Sequence, residues 1–97
     1  MIIRVYGENH YERANASENL ASVLIQMNEI PEAIRLLTLS YNIRREVFGD
    51  NHADVAKTLL KLGQAYSLSD NPEHSNEGMH NFRKAYEIFK SIYGVQN

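Results

Sequence analysis

Ninety-seven residues suit one small domain, and a chain of that length buries only part of its surface. Apolar residues at 43% and charged residues at 23% describe a globular rather than a disordered protein, and a net charge of -2 gives no broad attraction to nucleic acid or to an anionic membrane. Cysteine is absent, which excludes disulfides and thiolate chemistry and suits a cytoplasmic location, while apolar runs such as Met1-Ile2-Ile3 are far too short for a membrane span or a signal peptide.

Near the start stands a five-residue phrase, Tyr6-Gly7-Glu8-Asn9-His10. It returns 42 positions later as Phe48-Gly49-Asp50-Asn51-His52, and a partial third copy begins at Tyr93-Gly94, a further 45 positions on. Such punctuation at near-fixed period marks a repeat array. Each glycine follows an apolar and an aromatic residue and reads as a helix stop, because glycine takes the left-handed conformation at little steric cost. Asn9 or His10, and Asn51 or His52, fall where the next helix needs an N-cap, with Glu12 and Asp54 in its first turn. Arg44, Arg45 and Lys90 fall in the last turns of the preceding helices, where the helix dipole favours positive charge. Residues 1–6 align with Ile43 to Phe48 and read as the tail of a preceding helix, which suggests a segment cut from a longer protein or a chain that completes its core by self-association.

The first unit, about 7–48, then holds two helices, at 11–27 and 31–47. Ser17, Leu20, Ala21 and Leu24 make the core stripe of one, and Ala33, Leu37 and Ser40 that of the other. The second unit, about 49–93, holds helices at 53–68 and 74–93, with Leu59, Leu62, Gly63 and Tyr66 on the first. The last carries Met79, Phe82, Tyr86, Phe89 and Tyr93 at steps of three and four, a stripe that packs inward or forms an edge for self-association. Small residues at the equivalent positions Ala21/Gly63 and Ala33/Gly78 let paired helices approach closely. Turns fall near Asn28-Glu29-Ile30-Pro31 and Ser69-Asp70-Asn71-Pro72, where proline opens the following helix.

Leu59-x2-Leu62-Gly63-x2-Tyr66 followed by Gly78-x3-Phe82-x2-Ala85 resembles the tetratricopeptide repeat, with Leu in place of the usual first Trp. The 42-residue period and the Gly-x-x-His junction resemble the longer variant found in kinesin light chains. Tyr11 and Ala53 stand where that variant usually has proline, and Asp70 to Glu77 carries three extra residues. The resemblance implies an all-α fold in which two helical hairpins stack as a right-handed superhelical array, forming a single domain over 1–97.

Catalysis has no positive support. No nucleophile elbow, phosphate-binding glycine loop or metal-protease helix occurs. His10 and His52 are equivalent positions of successive units, too far apart for the ~2 Å ligand distances of a metal, and His74 and His80 lie six apart on different helical faces. No cofactor and no metal site is expected. Membrane and nucleic-acid partners are not expected either.

What the resemblance implies is a non-enzymatic scaffold whose concave groove takes a peptide or partner protein. The family's ligand-facing positions fall on Asn15, Glu18, Asn19, Ser22, Ile25 and Gln26 in the first unit, and on Lys57, Leu60, Lys61, Gln64, Ser67 and Leu68 in the second. The residues agree in part. Amides at Asn15, Asn19 and Gln26 suit hydrogen bonding to an extended backbone, and Lys57 and Lys61 favour an acidic peptide. Chaperone-binding members of the family clamp a C-terminal carboxylate with Lys and Asn. Glu18 and Ser22 stand at the matching positions, so that clamp is incomplete. The alternatives are a segment that self-associates through its edge helices, and an accessory helical domain of a larger enzyme, as in the C-terminal region of lysine methyltransferases of the zinc-finger and split-catalytic-domain type.

Overall fold

The structure, a computed structural model, describes the backbone of residues 2–94 and the side chains of residues 11–94. Its regular elements among those residues are four helices: α1 (Ile2–Gln26), α2 (Ile30–Phe48), α3 (Ala53–Ser67) and α4 (Glu73–Tyr93). Consecutive helices pack on one another, α1 with α2, α2 with α3, and α3 with α4. Side-chain hydrogen bonds also join α1 to α3 and α2 to α4, so α1 and α3 lie side by side on one face and α2 and α4 on the other.

Local chemistry explains each boundary. α1 closes at Asn28, whose φ of 64° places it in the left-handed region that asparagine tolerates. The Glu29 N–H then donates to the Leu24 carbonyl at 2.7 Å. Pro31 sits in the first turn of α2, where a missing N–H costs nothing. Gly49, at φ 88°, ends α2 and donates its N–H to the Arg45 carbonyl at 2.8 Å. Gly94, at φ 65°, repeats this at the end of α4 with Lys90.

His52 is the N-cap of α3: its Nδ1 accepts the Asp54 N–H at 3.0 Å, while its ring stacks on Phe48 with centroids 4.2 Å apart. Tyr11 of α1 meets Phe48 edge-on at 5.9 Å, so the second junction phrase is packed on the first helix. At α4 Pro72 is the N-cap, already at helical dihedral angles (φ -58°, ψ -30°), and the side chain of Asn71 before it accepts the Glu73 N–H at 3.0 Å.

One junction differs from its reading in the sequence. α1 continues through Gly7-Glu8-Asn9-His10 without a stop, so residues 2–6 are its first turns rather than the tail of another helix. Glu12 accordingly lies inside the helix, not in its first turn. Carrying a helix through a glycine costs only about 1 kcal/mol. Side chains of His10 and its predecessors lie outside the described set.

The core runs through Ala21, Ala33, Leu37, Val55, Leu59, Leu62 and Ala85. Full burial of Leu37 and Leu59 contributes about 2–3 kcal/mol each. Small residues set the helix spacing as expected. A methyl group on Gly63 would lie 2.6 Å from the Phe82 ring, and one on Gly78 would lie 3.1 Å from the Gly63 carbonyl. Leu20 departs from its reading as core and lies half-exposed on α1. The α4 stripe is divided: Phe82 and Phe89 are partly buried, whereas Met79, Tyr86 and Tyr93 face outward. No helix among the described residues is long and apolar enough to cross a membrane.

Candidate functional site

The face shared by α1 and α3 carries most of the residues expected in a groove. Asn15, Asn19, Ser22 and Gln26 are exposed along α1, as are Lys57, Leu60, Gln64 and Ser67 along α3. Leu68 is the C-cap of α3 and is also exposed, on the rim of a cavity of about 330 Å³ at the loop end of the molecule. Ile25 is half-buried against the core, so only part of its surface faces a ligand.

Glu18 is the main correction. It is only 7% exposed and serves the protein's own interior. Its Oε2 accepts from Ser40 Oγ at 2.7 Å, from Arg44 Nε at 2.8 Å and from Thr58 Oγ1, and its Oε1 accepts from Lys61 Nζ at 3.1 Å. Burial pushes the carboxyl pKa up, but these hydrogen bonds and the Arg44 charge outweigh it and hold the group below the ordinary glutamate value. The position lies on α1 at the side facing α3, and both neighbouring helices supply donors to it. Arg44 is correspondingly buried rather than placed at a solvated helix end. It also donates to Asn15 Oδ1 at 2.7 Å and lies 3.6 Å from Asp54.

This network divides the expected groove residues into engaged and available ones. Lys61 is half-buried and paired with Glu18, and Asn15 is occupied by Arg44. The Ser22 hydroxyl donates to the Glu18 carbonyl at 3.1 Å, and that of Ser67 to the Gln64 carbonyl at 2.8 Å. The side chains of Asn19, Gln26, Lys57 and Gln64 make no hydrogen bond or ion pair with other described residues. Lys57 is therefore the cation this face offers to a ligand, flanked by amides within two turns.

Three coincident substitutions could have disclosed the network. Glu18, Ser40 and Arg44 occupy the positions that Leu60, Ala85 and Phe89 hold in the second unit. A polar set where the other repeat is apolar, with Ser40 and Arg44 one helical turn apart, is the signature of a shared buried interaction.

The opposite side of the molecule holds a cavity of about 340 Å³ between Tyr41, Lys84 and Ile88. Its cations are already engaged. Arg45 pairs with Asp50 at 2.8 Å, and Lys84 donates to the Tyr41 hydroxyl at 3.0 Å while lying over its ring. His74 packs edge-on against Tyr66 and shares a 2.7 Å contact with Ser69 Oγ, a loop role. Among the described residues no group of three or more potential ligands could hold a metal ion.

Two stacked helical hairpins, each closed by a glycine and bonded across their junction, match what comparison with known families finds. The tetratricopeptide repeat model matches residues 12–91. Comparison with individual curated proteins gives no match. Repeats of this type are in general protein-interaction scaffolds rather than enzymes. From fold, junction chemistry and this match together, the chain belongs to the tetratricopeptide repeat family.

Proposed function

We propose that this chain is a non-enzymatic interaction module, of the 42-residue kinesin-light-chain-like variant, which takes an extended peptide of a cytoplasmic partner along the α1/α3 face. The units at about 7–48 and 49–93 each contribute one helix to that face. The observation that carries the reading is the contrast between its polar residues. Lys61 pairs with Glu18 and Asn15 accepts from Arg44, whereas Asn19, Gln26, Lys57 and Gln64 are exposed and uncommitted among the described residues. Uncommitted amides bond peptide N–H and C=O groups with either polarity, and one free lysine adds a preference for an acidic side chain. Leu60 and Leu68 offer apolar anchors at the edge.

Glu18 changes the expected ligand. With Lys61 already neutralised, a terminal carboxylate meets only Lys57, so recognition rests on an internal stretch of peptide rather than on a free C-terminus. Selection from a display library of random twelve-residue peptides tests this. The expected winners carry an acidic residue and remain bound when the C-terminus is amidated. Winners that bind only with a free C-terminal carboxylate would contradict it.

A second role, self-association, is supported by the half-exposed Leu20 and Tyr86 on the outer faces of α1 and α4.

A further inference from the structure

The cavity of about 330 Å³ at the loop end lies between the α1–α2 turn and the α3–α4 turn. Ile30 and Pro31 form its apolar wall on one side and Leu68 on the other, and Asp70 stands in its lining. Its other polar groups are largely committed within the chain. His74 Nδ1 lies 2.7 Å from Ser69 Oγ, and Asn71 Oδ1 accepts the Glu73 N–H. The exposed Asp70 carboxylate makes no hydrogen bond or ion pair with other described residues. Arg35, the first basic residue of α2, is paired with Glu32.

The helix ends add to this negative charge. At the far end of the hairpins, α2 and α4 each finish with a cation in the last turn, Arg45 and Lys90. Helices α1 and α3 carry no basic residue in their last turns, and both finish at the cavity, α1 beside Asn28 and α3 on Leu68. Two negative dipole ends and one carboxylate thus lack a positive partner at a single place among the described residues. The starts of α2 and α4 face this end too, but each is already supplied with a first-turn glutamate, Glu32 and Glu73.

A methylene stem tipped with a cation meets both features of the cavity. The stem of a lysine or arginine covers Leu68 and Pro31, and its charge reaches Asp70. Position agrees with chemistry. Lys57 and Leu68 are eleven residues apart, about three full turns, so Leu68 comes round to the same stripe of α3 as Lys57. That separation is about 16 Å, which an extended peptide covers in about five residues.

We infer that, given peptide binding on the α1/α3 face as proposed above, the turn cavity takes a lysine or arginine side chain of the same peptide. The preferred ligand is then dipolar, with an acidic residue at Lys57 and a basic one about five positions away at Asp70.

Peptides selected from the random twelve-residue library are the probe. Each is compared with a copy in which norleucine replaces the basic residue, keeping the stem and removing the charge. Fluorescence anisotropy reads binding to the wild type, to Asp70→Asn and to Lys57→Glu, and circular dichroism checks that each variant keeps its helicity. The wild type is expected to bind the norleucine copy roughly threefold to fivefold more weakly, as for an exposed ion pair. Asp70→Asn is expected to bind both copies equally, and selection against Asp70→Lys is expected to yield peptides without the basic residue. Winners that weaken in Lys57→Glu but carry no basic residue about five positions from the acid would overturn this inference and leave the groove standing. So would a norleucine penalty as large in Asp70→Asn as in the wild type. Winners indifferent to Lys57→Glu, or a library without binders, would overturn both.

Discussion

The Arg44 guanidinium donates to the Glu18 carboxylate at 2.8 Å across the junction of the two hairpins, and both groups are buried. Removing Glu18 leaves the buried Arg44 with weaker partners, the neutral Ser40 and Asn15 and the Asp54 carboxylate at 3.6 Å. Glu18→Ala is expected to cost about 3–5 kcal/mol, read from urea denaturation. The double variant Glu18→Leu with Arg44→Phe rebuilds the apolar set of the second unit and is expected to lose less than Glu18→Ala alone. Equal losses would show that the pair does not act as a unit.

The same carboxylate makes stability depend on pH. Its folded-state pKa is depressed, so its contribution is fully present above the ordinary glutamate value of 4.5 and is lost as pH falls through the lower folded value. The wild type is expected to lose stability in that acid window more steeply than Glu18→Gln. Parallel acid limbs in thermal melts of the two proteins would place the pH dependence elsewhere.

The helix stops at Gly49 and Gly94 were legible in the sequence because left-handed backbone selects glycine, and the cap of α3 was narrowed to Asn51 or His52 because a cap must accept an N–H. Helix α3 follows its expected bounds to within one residue, since its apolar stripe and its cap agree. Gly7 was misread because a glycine stop is a conditional signal: a glycine also sits inside a helix at a cost of only about 1 kcal/mol. The exposed polar residues of α1 and α3 were legible as stripes, but the burial of Glu18 was not. Whether a glutamate on a helix faces solvent or a neighbour depends on donors 22 to 43 residues away, which a helical period does not report.

Gly63 tests the close approach of α3 and α4. Alanine would gain about 1 kcal/mol of helix propensity, but its methyl would stand 2.6 Å from the Phe82 ring, which is held between the two helices. Overpacking of that kind costs about 1–3 kcal/mol. The expected net effect of Gly63→Ala is a loss of stability of about 1 kcal/mol in thermal or urea unfolding. A gain would mean that Phe82 moves aside freely.

His52→Ala removes the acceptor for the Asp54 N–H and the ring that stacks on Phe48. It is expected to destabilise the fold by about 1 kcal/mol, with His52→Asn recovering part of the loss because asparagine also caps. Amide hydrogen exchange at the start of α3 should quicken in the alanine variant. Unchanged exchange there would show that the cap contributes nothing.

The two lysines of the candidate groove are not equivalent. Lys57→Glu alters only the free charge and is expected to weaken an acidic peptide by about tenfold without changing the melting temperature. Lys61→Glu sets a second carboxylate beside Glu18 and is expected to lower stability whether or not peptide is present.

Backbone amide mapping by NMR, during titration with a peptide selected from the display library, tests the groove most directly. The expected result is that shifts concentrate at Asn19, Ser22, Gln26, Lys57 and Gln64 and fade in Lys57→Glu. Shifts centred on Tyr41, Arg45 and Lys84 on the opposite side, or a library that yields no binder, would contradict groove recognition.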